Sequence, residues 1–540
     1  MKKGFFQNHQ KLTLTLLLIG VFVWSLFAVD WGETLVHAGG WVTLLQVIEA
    51  LFQPDFSNEV LSLAVESTWI TLSYAVAGVG LAIIIALILG VFASGIFFKE
   101  SLLGVFVRRC SRGILGFLRA IHELVWAWLF VASFGLTPYA AIFALALPFG
   151  GILGRIFAEM LSDVPEEPIR ALKSTGASRL QLLLYGYFPI VKVGMLSYTM
   201  YRLECGIRSS AIMSFVGLGG LGYQIQLSLD DLHYNEVWTF IFFLIAIVVL
   251  VDLWSSQLRS KINHYTKHWF VPFSALLTVG LLIGSWVYIY VVDRASLTEL
   301  FTEKNLAYAK KFFSSMLGIG EENPAFLNWE SWKTALLLTY DTLRMSIIAI
   351  GLSTIVMFLT VLPAARNVAN GKLTLTKRWY QWISFGIIRV SYVFSRAIPE
   401  LVWAMIIIFI LKPGILPGAI ALALHNFGIL GKLCAEVVED LDARPIRHLA
   451  STGASKGQIL LYGVLPSVLP KFLTYILYRW EVIMRTTIIV GFVGAGGLGQ
   501  QFKLSMSFFH YTDITLILLC YLILVWISDW VSEWARKTVK

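Results

Sequence analysis

One polar stretch occurs twice in this hydrophobic chain. Residues Glu159–Pro189 read EMLSDVPEEPIRALKSTGASRLQLLLYGYFP, and residues Glu436–Pro466 read EVVEDLDARPIRHLASTGASKGQILLYGVLP. Gly176 and Gly453, inside the two STGAS sequences, are 277 positions apart (453 − 176), as are the two leading glutamates. Long apolar runs flank both copies. A polar segment kept twice in such surroundings predicts a docking surface that is used two at a time.

The composition indicates a membrane protein. Of the 540 residues, 57% are hydrophobic and 14% are charged, whereas soluble domains are about half apolar and about a quarter charged. Several runs approach the ~20 apolar residues that a membrane-spanning helix needs. The runs are continuous and do not alternate, which excludes a β-barrel. We therefore predict an all-α polytopic membrane protein with about 12 transmembrane helices.

The positions of the charged residues indicate how the chain is oriented in the membrane. The spacing of the cysteines gives no sign of a metal site or a disulfide. The formal net charge is +9, but Lys and Arg fall mainly in short segments between apolar runs, the pattern that orients membrane proteins. This distribution argues against nucleic-acid binding. Cys110, Cys205, Cys434 and Cys520 are scattered without metal or disulfide spacing. We therefore expect neither a metal site nor a cofactor bound by this chain.

The apolar runs predict twelve spans, six per half, with both termini on the cytoplasmic side. The N-terminal run resembles a signal peptide without a convincing cleavage pattern, and we interpret it as a retained first helix. Two longer segments, Asp30–Glu66 and Asp293–Lys333, are expected outside. The predicted spans are Leu12–Val29, Trp69–Phe92, Ile114–Phe134, Ala140–Ala158, Ile190–Val216, Val237–Trp254, Val271–Val292, Ala335–Leu362, Trp382–Leu411, Ile415–Ala435, Ser467–Val490 and Ile514–Trp530.

The 277-residue spacing extends well beyond the polar stretch. It relates Arg119 to Arg396, Glu123 to Glu400, and Gly222 to Gly499. Six spans separate the copies, so the halves have the same orientation and form parallel repeats. We expect a first helix and external segment at 1–65, a first permease-like copy at 66–260, a linking helix and external segment at 261–334, and a second copy at 335–540.

The polar stretches resemble the EAA loop of ABC importer permeases, which docks on an ATPase subunit. Ala171-Leu172, Gly176 and Pro189 carry the resemblance in the first copy, and both copies depart from the pattern at the leading acid, where Arg170 and Arg447 stand. Glycine permits a tight turn or a close backbone approach. The alternative is an ordinary cytoplasmic helical hairpin. The resemblance implies docking roles for Glu159, Arg170, Ala171, Gly176, Pro189, Glu436, Arg447, Gly453 and Pro466.

Further motifs resemble the phosphonate-type permeases within that family. They are RAIHELVW at Arg119–Trp126, RAIPELVW at Arg396–Trp403, FVGLGGLG at Phe215–Gly222 and FVGAGGLG at Phe492–Gly499. The resemblance implies two fused copies of a type I ABC importer permease fold in the plasma membrane. It implies a phosphonate, phosphite, hypophosphite or phosphate ester as substrate.

The resemblance also implies the partners. They are two copies of an ABC ATPase that holds ATP and Mg, and an extracytoplasmic substrate-binding protein. No Walker A sequence occurs in the chain, so ATP hydrolysis is expected on another polypeptide. The alternatives are a permease for another small solute such as methionine, or a secondary transporter with parallel repeats.

Ionisable residues inside the spans suggest a pathway for an anion. Charges at membrane depth are costly and normally face a bundle interior or an aqueous path, and arginine matches phosphorus oxyanions with a planar fork. Arg119 and Glu123, four positions apart, are expected to pair on one helical face. The alternative role is helix locking. The candidates are Arg119, Glu123, Arg202, Glu204, Arg208, Arg396, Glu400, Arg479, Glu481 and Arg485.

Two features remain ambiguous at the level of sequence. His122 and His425 have proline in the matching position of the other half (Pro399 and Pro148), so each is either a donor to substrate or a satisfied core residue. The glycine clusters follow a span rather than a strand, which excludes a dinucleotide fingerprint. We predict that they serve close packing or an outer gate through Gly217, Gly219, Gly220, Gly494, Gly496 and Gly497.

Overall fold

A computed structural model describes residues 10–27, 39–97, 101–263, 269–373 and 378–539, which are almost entirely helical. Both chain termini lie outside the described residues. So do residues 28–38, which include Asp30 and begin the predicted outer segment.

The helices of the first half of the chain are α1 to α11. Their bounds are α1 Gln10–Phe27, α2 Gly40–Phe52, α3 Asn58–Ser94, α4 Leu102–Ala120, α5 Glu123–Phe134, α6 Pro138–Ser162, α7 Glu166–Ser174, α8 Arg179–Gln181, α9 Phe188–Met213, α10 Leu221–Asp230 and α11 Tyr234–Asn263. A π-helical segment, Leu182–Tyr187, leads from α8 into α9, and a 3₁₀ turn, Ser214–Val216, follows α9.

The second half repeats this order after a connecting region. Its helices are α12 Phe270–Val291, α13 Leu297–Leu300, α14 Glu303–Met316, α15 Trp329–Thr360, α16 Arg366–Ala369, α17 Trp379–Ala397, α18 Glu400–Ile410, α19 Ile415–Glu439, α20 Ala443–Ser451, α21 Lys456–Gln458, α22 Leu465–Gly491, α23 Gly497–Ser507 and α24 Tyr511–Val539. The π-helical segment recurs at Ile459–Val464, and a 3₁₀ turn lies at Ala325–Leu327.

The helices account for the predicted spans. Within the described residues, nine helices are long and apolar enough to cross a membrane, and two bent pairs, α4–α5 and α17–α18, pass the same test when each is counted as one span. They correspond one to one to eleven of the twelve predicted runs. The first run, Leu12–Val29, overlaps α1, which does not pass this test, and ends outside the described residues. The all-α membrane fold is confirmed.

Two predicted spans are wrong in detail. Ile114–Phe134 and Trp382–Leu411 are not continuous helices, because α4 meets α5 at 90° and α17 meets α18 at 94°. The residues at the breaks, Ile121 and Ile398, have extended backbone. Pro399 explains the second break, since a proline disfavours helical conformation at the residue before it.

The chain divides into two compact units. One comprises Glu49–Ser314, and the other comprises Met1–Ile48 together with Ser315–Lys540; we call them the N-terminal and C-terminal units. The N-terminal unit is built on the pairing of α3 with α6. Small residues make this close packing possible: a Cβ on Gly90 of α3 would lie 3.0 Å from the carbonyl oxygen of Gly154 on α6, the mode of packing expected between membrane helices. The fourfold domain division with boundaries at 65, 260 and 334 stays a prediction.

The C-terminal unit pairs α15 with α19 in the same manner. Ser353 of α15 donates a hydrogen bond to the Ala423 carbonyl of α19 at 3.1 Å. Its apolar core includes the fully buried Ile348, Leu422 and Leu430. These two helix pairs form the scaffold on which the candidate site residues are held.

Candidate functional site

Each predicted docking stretch forms a helical hairpin. In the first copy α7 runs to Ser174, the chain turns through Gly176, and α8 continues into the π-helical segment. In the second copy α20, Gly453 and α21 repeat this order. The hairpin is closed by an apolar contact, because Ile169 is buried and a Cβ on Gly186 would lie 2.9 Å from its side chain. Sequence identity between the copies has thus produced the same local structure twice.

The two glycines serve a tight turn. Gly176 has φ +82° and Gly453 has φ +83°, a left-handed conformation that residues with a Cβ rarely adopt. A Cβ at either position would have no heavy atom within 4 Å. Of the two explanations that the sequence allows, backbone conformation therefore applies and close backbone approach does not.

The hydroxyl groups on the two sides of the glycine form hydrogen bonds with different helices of the hairpin. Ser178 caps α8 in a capping box, with its backbone N–H donating to Gln181 Oε1 at 2.8 Å, and Ser455 and Gln458 repeat this bond. Ser174 and Thr175 donate at 2.7 Å to the Ala171 and Leu172 carbonyls near the end of α7. Carbonyls in the last turn of a helix lack intrahelical partners, and side-chain donors can supply them.

The hairpins present a mixed surface to solvent. Ala171, Arg447 and Glu436 are exposed. Arg170 pairs with Glu166 at 2.6 Å and Glu159 with Arg155 at 2.9 Å, both in exposed positions. Large apolar side chains lie exposed at matching positions of the two copies: Leu184 and Leu461, and Tyr185 and Tyr462. An exposed apolar patch with a charged rim is typical of a protein-binding surface.

Pro189 and Pro466 occupy the first turns of α9 and α22, where a missing N–H costs little. At the other end of the second hairpin, Asp442 caps α20 and accepts from the Arg444 backbone N–H at 3.0 Å. This hydrogen bond, assisted by the nearby Arg444 and Arg447 charges, holds the pKa of the Asp442 carboxyl below its usual range.

The bent pairs bring a histidine against a glutamate in each half. His122 caps α5 by accepting the Leu124 N–H at Nδ1, 3.2 Å away, and its Nε2 lies 3.3 Å from Glu123 Oε2. Ser209 of α9 donates a short hydrogen bond to the same carboxylate. All three side chains are buried.

In the second half the histidine comes from a different helix but contacts the equivalent glutamate. His425 comes from α19, its Nδ1 lies 2.8 Å from the Ile398 carbonyl, and its Nε2 lies 3.5 Å from Glu400 Oε2. The two histidines, unmatched in sequence, are thus matched in space. Both are buried with polar partners on each ring nitrogen, as the core-residue interpretation expects.

The break also corrects the pairing argument for Arg119 and Glu123. The helix ends between them, so they do not share one helical face, and the same holds for Arg396 and Glu400. Glycines of the neighbouring helices lie against the break: a Cβ on Gly151 would lie 2.9 Å from Arg119 N, and one on Gly428 would lie 3.0 Å from Arg396 N. Close backbone approach holds the bend in place.

The matching arginines of α9 and α22 have different surroundings. Arg202 is half-buried and stacks over the rings of Phe149 and Tyr201, with its guanidinium carbon 5.1 and 5.8 Å from their centroids. Arg479 is 8% exposed and donates to the Asn426 side-chain carbonyl through Nε at 3.1 Å and through Nη2. Asn426 occupies the position that Phe149 has in the first half.

The remaining charged residues of these helices form ion pairs. Arg208 Nη2 lies 3.2 Å from Glu204 Oε1, and Arg485 Nη2 lies 2.7 Å from Glu481 Oε1. Arg485 also contacts Asp529 of α24 at 2.9 Å, within the C-terminal unit. Buried ion pairs of this kind require both partners.

The glycine clusters form turns against the long helices. Gly217, Gly219 and Gly220 all have positive φ, as do Gly494, Gly496 and Gly497. A Cβ on Gly220 would lie 2.7 Å from Thr71 Oγ1, and the next N–H, that of Leu221, donates to that oxygen at 2.9 Å. Thr342 receives the Leu498 N–H in the same way. Close packing explains Gly220 and Gly497, where a Cβ would lie 2.7 and 2.6 Å from a threonine hydroxyl. At the other four glycines a Cβ would come no closer than 3.5 Å to a neighbour, and the positive φ is what favours glycine there. A gating role stays a prediction.

Sequence reasoning missed four residues that organise these sites: Thr71, Thr342, Asn426 and Asp529. Thr71 and Thr342 are 271 positions apart, not 277, because the loop before α17 is longer than the loop before α4, so a repeat search at one fixed spacing does not align them. Asn426 is visible as a polar residue in an apolar run. Among the described residues, no three His, Cys, Asp or Glu side chains come together as a metal site would need.

Comparison with known proteins places these features in a family. Residues 82–264 and 371–539 each match the binding-protein-dependent transport system inner membrane component family. The two matched segments include both hairpins and both bent pairs. Together they cover more than half of the chain.

Relatives match over the chain or over one half. A protein of Mycolicibacterium smegmatis named phosphate-import permease protein PhnE is 27% identical over 521 residues, covering 95% of this chain and 92% of that protein. The phosphite transport system permease protein PtxC of Stutzerimonas stutzeri is 36% identical over 217 residues, covering 40% of this chain and 74% of PtxC.

A solved structure of the MetNI methionine ABC transporter, in an inward-facing conformation, aligns with 38% of this chain and 99% of its own at 21% identity and a TM-score of 0.35. The assignment rests on the family match, which occurs once in each half of a helical chain that spans the membrane several times. The chain therefore belongs to the family of binding-protein-dependent transport system inner membrane components, the permeases of ABC importers, and carries its domain twice.

Proposed function

We propose that the chain is the membrane-spanning permease subunit of an ATP-driven importer for a phosphorus oxyanion: a phosphonate, phosphite, hypophosphite or phosphate ester. Permeases of this family work with a substrate-binding protein and an ATPase. The observation that carries the proposal is the pair of hairpins of equal geometry, one from each half. Two such surfaces in one chain would bind two copies of one ATPase subunit. Each ATPase copy would hold ATP and Mg.

The substrate class rests on two kinds of support. The relatives named above are permeases for phosphate and phosphite, and this chain holds Arg202 and Arg479 within its membrane helices. Guanidinium groups bind tetrahedral oxyanions through paired N–H donors. Uptake of inorganic phosphate, phosphite and methylphosphonate by vesicles that carry the assembled complex, with methionine as the competing solute, tests the class.

The orientation follows from the same arrangement. Hairpins that dock an ATPase are cytoplasmic, and an even number of spans then leaves both termini inside and the segment Asp293–Lys333 outside. Helices α13 and α14 lie in that segment. An extracytoplasmic binding protein would deliver the substrate on this side of the plasma membrane.

Substitution of the two turn glycines tests the docking role. In the double variant Gly176→Trp, Gly453→Trp the indoles would extend into open space, since no atom lies within 4 Å of either Cβ position. We expect the membrane helices to remain folded and the ATPase to be lost on co-purification. Gly176→Ala with Gly453→Ala is the matched control, because it imposes the same backbone strain, about 1 kcal/mol per site, without the bulk. A normal amount of ATPase bound to the tryptophan variant would rule out docking through these turns.

A further inference from the structure

The two halves differ most where a charged residue meets a neighbouring helix. Arg202 and Arg479 occupy matching positions, yet their partners on α6 and α19 are Phe149 and Asn426. The ring and the amide hold a guanidinium in different ways. This difference has a consequence for which arginine can bind an anion.

Arg479 is held by hydrogen bonds. Asn426 accepts from two of its nitrogens and is itself 1% exposed, and its amide donates to the Leu422 carbonyl at 2.8 Å. The amide is thereby fixed on both sides. An anion that approached Arg479 would have to displace these hydrogen bonds at a side chain that is almost fully buried.

Arg202 is held by stacking. Its contacts within the described part of the chain are the faces of Phe149 and Tyr201, and none of them uses an N–H. A cation–π contact holds a guanidinium against the ring face and engages none of its N–H groups in a conventional hydrogen bond. Arg202 is half-buried, so these donors remain accessible while the group is oriented.

We propose that the oxyanion contact is asymmetric: Arg202 binds the substrate, Arg479 is a structural residue, and Phe149 and Asn426 decide the difference. The inference rests on the proposed function, because it takes a phosphorus oxyanion as the ligand. Stacking orients the guanidinium for a two-point contact with the anion. The hydrogen bonds of Asn426 make Arg479 a link between α19 and α22.

Single substitutions test the asymmetry in the complete complex, in vesicles with its binding protein and ATPase. The probe is whichever of phosphate, phosphite or methylphosphonate the unaltered chain transports fastest. Arg202→Ala should lower uptake about tenfold or more, since it removes charge-assisted hydrogen bonds to the substrate, at an unchanged melting temperature. Arg479→Ala should lower the melting temperature, with uptake per folded complex within about twofold of the unaltered chain.

Exchange of the neighbours gives a second test. Phe149→Asn should draw Arg202 into an amide hydrogen bond and reduce uptake as Arg202→Ala does, while Phe149→Leu, which supplies no amide but removes the ring that orients Arg202, should reduce uptake less. Asn426→Phe should leave uptake unchanged. If Phe149→Asn fails to fold, the comparison of Arg202→Ala with Arg479→Ala still decides whether the contact is asymmetric.

The contrary outcomes are distinct. If the unaltered chain transports an oxyanion and Arg202→Ala transports it equally well, the assignment of Arg202 is wrong and the proposed function stands. If Arg479→Ala loses uptake without loss of thermal stability, the asymmetry is wrong. If the unaltered chain transports none of the three oxyanions, both the assignment and the proposed substrate class are wrong.

Discussion

At the scale of single residues, Arg485 is an intramembrane arginine whose guanidinium contacts carboxylates. It bridges Glu481 and Asp529 at 2.7 and 2.9 Å, and Arg536 contacts the other oxygen of Glu481 at 3.2 Å. Two positive and two negative groups balance one another here, across α22 and α24. This geometry favours the helix-locking alternative for Arg485, whose place in the pathway stays a prediction.

Removing Arg485 should therefore destabilise the protein. Arg485→Ala removes a cation that both Glu481 and Asp529 contact, and we expect a loss of about 3–5 kcal/mol, typical of breaking a buried ion pair, seen as a lower melting temperature in detergent. Arg155→Ala is the control, because its pair with Glu159 is exposed and is worth at most about 1 kcal/mol. An unchanged melting temperature with loss of uptake would instead place Arg485 in the pathway.

At the scale of elements, the bent pairs show one geometry built from different residues. In the first half the histidine lies at the N-cap of α5, and in the second half it lies in α19 with proline at the N-cap of α18. In both halves an imidazole lies against the glutamate that begins the second helix of the bent pair, Glu123 of α5 or Glu400 of α18. A negative side chain is favourable at a helix N-terminus, and the imidazole supplies a partner that keeps it buried.

The two arrangements should be interchangeable. His122 has φ −68° and Ile121 is extended, which is the backbone that proline requires at 122. We therefore expect His122→Pro alone to lower the melting temperature, because Glu123 loses its imidazole, and Pro148→His added to it to restore stability. Thermal unfolding of the single and double variants measures this. A double variant no more stable than His122→Pro would show that the histidines are not equivalent.

At the scale of the whole molecule, chain order and packing do not coincide. Helix α1 precedes the first half but packs on α15, and α12 precedes the second half but packs on α3. Each contact uses a glycine: a Cβ on Gly351 would clash with the Phe22 ring, and one on Gly80 would lie 2.9 Å from Leu282. Each compact unit therefore includes a helix that the sequence assigns to the other half.

Cysteine cross-linking tests this placement. With Cys110, Cys205, Cys434 and Cys520 replaced by serine, the pair Phe22→Cys and Gly351→Cys should form a disulfide in membranes, because the two positions touch. The pair Phe22→Cys and Leu359→Cys is the control, since Leu359 lies two turns further along α15 and is exposed. Equal cross-linking of both pairs, or of neither, would contradict the packing of α1 on α15.

The sequence by itself determined the features that depend on local composition. Apolar runs predict spans because the bilayer sets their length, and a repeat at constant spacing predicts two copies of each structure. Gly176 and Gly453 are predicted from sequence to serve a tight turn or a close backbone approach, and the structure decides for the turn. The class of fold and the pair of hairpins were predictable for this reason.

Only the tertiary structure decided which neighbour each polar group meets. The break beside Arg119 has no proline to explain it and lies against Gly151 of another helix, and the histidines become equivalent only when α5, α18 and α19 are placed in space. The side chain of Arg479 is held by Asn426, which lies 53 positions earlier in the chain. Hydropathy and repeat spacing describe each segment separately, whereas contacts between helices depend on the packing of several segments at once.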